Sequence, residues 1–277
     1  MSRLKKALEK AKNDFPDIQL FSTEKQKPPE FFEPEEKSNL RCEKKIEFTH
    51  TKVQPISHNV LENNKIFALF SNFEVSNQIK TLRTQVLKKL DKIGSNILMI
   101  TSANSGEGKT FISINLGISI AQELDRTVLI IDADLKNPAK NHCDFAIDFL
   151  NIEVEKGLAD VLLGNIQLED TLINPGIEKL TILPGGYYLH NSAELLGSPQ
   201  MELLVKEVKS RYKDRIVIFD TPAMLKCADP TVLSKFVENV LFVVEEEKTS
   251  VEDIRHSMKL LSDINILGTI INKSKLK

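Results

Sequence analysis

The chain has 277 residues, 41% of them apolar, which suits one large α/β domain with an appended segment. A formal net charge of −2 excludes a protein that is basic throughout, and no nucleic-acid partner is expected. Three widely spaced cysteines, Cys42, Cys143 and Cys227, suggest neither a disulfide framework nor a CxxC metal site, and they fit a reducing cytosol.

In chain order, residues 1–13 read as a short helix, because Leu4, Ala7, Leu8 and Ala11 share one face at helical spacing among basic side chains. Such a helix docks on its own domain, on a partner or on an anionic lipid surface. The opening MSRLKKALEKAKNDF has no apolar core, so it is not a secretory signal. Residues 14–60 are broken by Pro16, Pro28, Pro29, Pro34 and Pro55 and read as a flexible linker. The chain thus divides into an N-terminal helix with linker, 1–60, and a main domain, 61–277. A helix is expected near 74–91, where Val75, Ile79, Leu82, Val86 and Leu90 keep one apolar face.

From Asn96 onward, short β-branched runs alternate with helical patterns. Strands read at 96–101, 127–132, 179–183, 215–220, 239–244 and 265–271. Nearly continuous apolar character means strands buried on both faces. The expected fold is therefore α/β, a mostly parallel sheet flanked by helices. Right-handed crossovers bring the strand C-termini to one edge, where such sheets bind ligands. No apolar run approaches the roughly 20 residues that cross a bilayer.

The segment from Thr101 to Thr110, TSANSGEGKT, follows the strand NILMI and opens a helical pattern. This is the P-loop arrangement GxxxxGK[ST], with Ala103 at its first glycine position. Gly106 and Gly108 let backbone N–H groups converge on phosphate oxygens at a helix N-terminus. Lys109 supplies a point charge to the phosphates and Thr110 a hydroxyl to Mg²⁺. Candidate nucleotide contacts run from Ser105 through Gly106, Glu107, Gly108, Lys109 and Thr110 to Phe111. Two more strands end in acids: VLII in Asp132-Ala133-Asp134 and IVIF in Asp220-Thr221-Pro222. Carboxylates facing a nucleotide repel it unless a cation intervenes. Mg²⁺ is therefore implied, with Thr110, Asp132 and Asp220 as candidate ligands.

These residues together resemble the bacterial tyrosine kinases of capsule and exopolysaccharide synthesis. The similarity runs over residues 74–272 and is nearest to the exosortase-associated type, a branch of the MinD/ParA superfamily of P-loop NTPases. It implies that Gly106, Gly108, Lys109 and Thr110 form the Walker A site, Asp132 and Asp134 the extra Walker A′ acids, and Asp220 the Walker B acid. Lys109, Asp132 and Asp134 are then the candidate catalytic residues, with ATP and Mg²⁺ as cofactors. The family further implies a homo-oligomeric ring, a membrane polysaccharide co-polymerase (chain-length determinant) as partner, and a cytoplasmic place at the inner face of the membrane.

The chain departs from the family in places. Lys136 stands where arginine is usual, and the ring-contact motif ExxRxxR reads Asn77, Lys80, Arg83. The sequence ends INKSKLK without a tyrosine cluster, so tail autophosphorylation of the usual kind is not expected. Of its three tyrosines, Tyr187 and Tyr188 follow Gly185-Gly186 in an expected loop and are better phosphoacceptor candidates than Tyr212. Two functions fit: a protein-tyrosine kinase regulating polysaccharide polymerisation and export, or a nucleotide switch that binds the co-polymerase without phosphorylating it. MinD and ParA ATPases carry a lysine five residues before the P-loop lysine. Asn104 occupies that position here, which weakens the partition-ATPase alternative.

Overall fold

The computed structural model describes residues 51–70, 74–136, 145–211 and 214–274. The helix expected at 1–13, most of the linker, and Tyr212 lie outside them. Eight strands form one sheet: β1 Lys52–Val53, β2 Ile97–Ser102, β3 Thr127–Asp132, β4 Ile173–Asn174, β5 Leu180–Leu183, β6 Arg215–Asp220, β7 Asn239–Glu245 and β8 Asn265–Asn272. Their order is β1-β4-β5-β3-β6-β2-β7-β8. Every pairing is parallel except β4 with β5, so the mostly parallel sheet read from the sequence is borne out. All six expected strands appear within a residue or two of their expected bounds.

Nine helices accompany the sheet among the described residues: α1 His58–Asn63, α2 Glu74–Ile93, α3 Lys109–Ala121, α4 Phe145–Leu150, α5 Leu158–Leu162, α6 Ser192–Leu196, α7 Pro199–Ser210, α8 Asp229–Leu233 and α9 Val251–Leu260. None is long and apolar enough to cross a membrane. The central strands bury both faces by alternation. Leu98 and Ile100 of β2 join a core with α2 and α3, whereas Ile97 and Met99 join a second core with α5 and α7. A fully buried aliphatic side chain of this kind contributes about 1.5–3 kcal/mol, so a strand buried on both sides stays where its sequence puts it.

Two features begin before the boundary expected at residue 61. β1 pairs with β4, and α1 precedes a segment that docks on the P-loop helix. Ile66 is fully buried, and the buried Asn115 of α3 accepts from Ala68 N and donates to the Lys65 carbonyl. The lead-in to α2 is thus held by both apolar burial and a buried amide. Arg83, part of the ring-contact pattern, is used within the chain. Its Nε pairs with Glu123 Oε1 at 2.7 Å and its Nη1 donates to the Ser119 carbonyl at 2.9 Å, fixing α2 to α3.

Candidate active site

The sheet order places β2 between β6 and β7, with β3 on the far side of β6. All four strands run parallel, so their C-terminal ends share one edge. β2 delivers the loop 103–108 there and α3 carries it away. At the hinge, Gly108 takes φ +99°, a left-handed conformation, and acts as the N-cap of α3. A Cβ at Gly108 would lie 2.0 Å from Asn272 Nδ2, so a side chain there would displace Asn272 as well as strain the left-handed backbone. The first amides of α3 remain open toward the edge, as an anion site requires. A cleft of about 490 Å³ opens there, and its lining includes Gly106, Gly108, Lys109, Thr110 and the rings of Phe111 and Phe149.

The acids gather at the same edge. Asp132 and Asp220 are direct register partners at the ends of β3 and β6, and each is only 2% exposed. Asp220 accepts from Thr110 Oγ1 at 2.7 Å and from Ser113 Oγ at 3.0 Å, which ties the β6 acid to two turns of the P-loop helix. Asp132 Oδ1 accepts from the Asp134 amide at 3.0 Å, turning the chain at the end of β3. Asp134 is half-buried, and Lys109 is buried. Burial pushes the Asp134 carboxyl above the usual range, and the cations Lys226 and Lys109 oppose that push. Lys109, Thr110, Asp132, Asp134 and Asp220 are therefore brought together. Ser105 sits on an exposed turn of the loop.

Glu107 behaves differently from a nucleotide contact by side chain. Its carboxylate is 1% exposed and faces inward, accepting from the Asn104 amide at 3.1 Å and from Thr249 Oγ1 at 2.6 Å. It braces the loop against the segment after β7. Asn104 adds a second brace, donating through Nδ2 to Asp253 Oδ2 of α9 at 3.1 Å. The end of β8 supplies two more. Asn272 Nδ2 donates to the Glu107 carbonyl at 2.8 Å, and Lys273 Nζ to the Gly106 carbonyl at 2.7 Å. Glu245 anchors Lys273 at 3.0 Å. None of Thr249, Asp253, Asn272, Lys273 or Glu245 stands out in the sequence. They bear no motif of their own and meet the loop only in the folded chain.

Burial pushes the Asp220 carboxyl up to about 6, against the hydrogen bonds from Thr110 and Ser113 and the charge of Lys109. Its folded-state value thus lies above the ordinary 3.8, so the folded chain binds this proton more readily than the unfolded one. The cost of ionising it is present in full above about pH 6 and is relieved as pH falls through that value. Without nucleotide or magnesium, the protein is expected to gain about 1 kcal/mol relative to Asp220→Asn between pH 7.5 and pH 5. Denaturant melts of both proteins across that range check this. A stability difference that does not change with pH would contradict the assignment.

Residues 95–275 match the family model described as an AAA domain. The chain is 34% identical to the tyrosine-protein kinase YwqD of Bacillus subtilis over 204 residues, covering 73% of this chain and 82% of that protein. The chain belongs to the bacterial tyrosine-protein kinase family. The tyrosine-protein kinase etk of Escherichia coli is 32% identical over 70% of this chain, which matches 26% of that longer protein. The chain spans about a quarter of the length of several of the curated relatives it matches. Among solved structures, the kinase domain of Escherichia coli ETK superposes with a TM-score of 0.69 at 28% identity, covering 82% of this chain and 89% of that one. The septum site-determining protein MinD of Pyrococcus horikoshii, solved with Mg-ADP, is more distant: TM-score 0.53, 25% identity, 65% of this chain and 72% of that one. The P-loop nucleotide-binding fold is shared by all of them.

Tyr187 and Tyr188, the candidate acceptors, sit in firm surroundings. Pro184 and Gly185 carbonyls accept from the Leu158 and Ala159 amides of α5, and the Leu189 amide donates to the Leu135 carbonyl. Tyr187 is half-buried against the second core, and burial with the nearby Asp160 raises its phenol above the ordinary value. Tyr188 stacks edge-on against His190 at 4.8 Å. The Gly185-Gly186 pair therefore serves close packing against α5 rather than a free loop.

Proposed function

We propose that the chain is an ATP-dependent protein-tyrosine kinase acting in exopolysaccharide or capsule production. The observation that carries the reading is the register pairing of Asp132 with Asp220 beside Lys109 and Thr110. A simple phosphate-binding loop needs one such acid. A phosphoryl transferase needs a cation-holding group and a separate group for the acceptor hydroxyl.

In this reading, the Gly106–Thr110 amides cradle the nucleotide phosphates and Lys109 adds positive charge where negative charge builds up in transfer. Among the described residues, no three His, Cys, Asp or Glu side chains form a protein-only metal cage. Mg²⁺ suits that arrangement, since it takes one or two protein ligands and completes its shell with phosphate and water. Thr110 and Asp220, already joined at 2.7 Å, would hold it, and Asp132 stands next to them. When bound, the ion would neutralise phosphate charge. Asp132 and Asp134 remain to orient the tyrosine hydroxyl and accept its proton. Membership in the kinase family supplies the rest of the reading: a membrane co-polymerase as partner, a homo-oligomer as the working form and a place at the inner face of the membrane.

The nucleotide-switch alternative has less support. The relatives the chain matches are named as tyrosine-protein kinases, not as switches. Incubation of the protein with Mg-ATP, alone and with a tyrosine-rich peptide, followed by mass spectrometry and ADP measurement, separates the two. Phosphotyrosine on either is expected. ADP release with no phosphotyrosine on protein or peptide would overturn the kinase reading in favour of the switch.

A further inference from the structure

Asp229 opens α8, outside the residues considered so far, and is fully buried. Its Oδ2 accepts from the buried Ser192 Oγ of α6 at 2.5 Å. Its Oδ1 has no hydrogen bond and faces the Lys136 ammonium at 3.5 Å. Lys136 lies four residues after Asp132, in the turn that follows β3. Within that turn, the Asp134 amide donates to Asp132, and the Lys136 amide donates to the Asp134 carboxylate. Leu135 between them is fully buried and its carbonyl accepts from Leu189 at 3.1 Å.

A carboxylate buried against one hydroxyl and one partly exposed cation is a poor source of stability, because its desolvation consumes most of the attraction. An apolar residue of similar volume would serve the core as well. What Asp229 supplies instead is a fixed point for the Lys136 side chain. Asp134 Oδ1 has no hydrogen bond, so within the chain its carboxylate is aimed by the Lys136 amide and the backbone that carries it.

We propose that Asp229 is a positioning residue for phosphoryl transfer: by holding Lys136 it locks the Asp132–Lys136 turn and keeps Asp134 aimed at the reacting edge. The proposal rests on the kinase reading above. Asp229 acts through Lys136, and neither lines the cleft at the phosphate cradle. The effect therefore falls on turnover and spares nucleotide binding. Arginine at Lys136 keeps the ion pair, so it should preserve function.

The test uses the full chain with Asp229→Asn, Lys136→Met, the double variant and Lys136→Arg. Each single variant is expected to lower kcat for Mg-ATP turnover about tenfold or more, with KM for ATP within about twofold of the starting protein. The double variant should be no slower than either single one, and Lys136→Arg should match the starting protein. Unchanged kcat in Lys136→Met, multiplicative losses in the double variant, or a KM rise that accounts for the loss would each overturn the proposal. Lys136 is partly exposed, so Lys136→Met decides the matter even if Asp229→Asn fails to fold. Amide deuterium exchange gives a readout independent of turnover. Residues 133–136 should exchange faster in Lys136→Met while 101–110 stay unchanged. A starting protein with no turnover sinks the kinase reading alone, and the exchange result then decides the positioning claim.

Discussion

Lys109→Ala is expected to lower ATP turnover by at least about 10²-fold while leaving the fold intact. Lys109 is buried at the first position of α3, and its charge acts on both Asp134 and Asp220. Its loss removes the cation that faces the phosphates. It also leaves Asp134 and the buried Asp220 with less opposing charge, so both carboxyls rise further and Asp220 holds a cation less well. The rest of α3 is buried from Ile112 to Ala121 against the sheet, so the helix itself should not unravel. ADP release measured beside far-UV circular dichroism checks both halves. Turnover within a few-fold of the starting protein would remove Lys109 from the site.

Gly108→Ala is expected to weaken nucleotide binding by on the order of 10²-fold, although it adds only a methyl group. A non-glycine residue in the left-handed region costs roughly 1–2 kcal/mol. Here the new Cβ would also meet Asn272 Nδ2 at 2.0 Å. Relief requires Asn272 to leave the Glu107 carbonyl, which loosens the loop that presents the amides. Gly164→Ala is the control: φ there is +76°, yet nothing lies within 4 Å of a Cβ. It should show the backbone strain in thermal stability without a change in affinity. Titration with a fluorescent ATP analogue distinguishes the two, and equal affinities in both variants would contradict the role given to Asn272.

The large strands were legible because β2, β3, β6 and β7 bury both faces, which leaves an unbroken apolar run in the sequence. β1 and β4 were not. Each has two residues, too few to show a period, and Lys52 and Asn174 are not strand formers by composition. The same divide runs through the candidate site. The loop 101–110 and the acids 132, 134 and 220 announce themselves because each sits where a strand ends. Thr249, Asp253, Asn272 and Lys273 reach that loop across 142 to 167 residues of chain, and no local pattern encodes such a meeting. Glu107 was legible as part of the motif but not as a brace, since only the fold shows which way its side chain turns.

The clasp from the end of β8 sets an order of events during synthesis on the ribosome. The loop emerges more than a hundred and fifty residues before Asn272 and Lys273, the residues that hold its carbonyls. A nascent chain can assemble β2, β3 and β6 from earlier segments, but the cradle lacks its last two hydrogen bonds until β8 leaves the exit tunnel. Contacts of such long range also close late in folding, because a large loop must be ordered first. A chain synthesised only as far as β7 should therefore hold nucleotide weakly, and tight nucleotide binding becomes a signal that translation has passed β8.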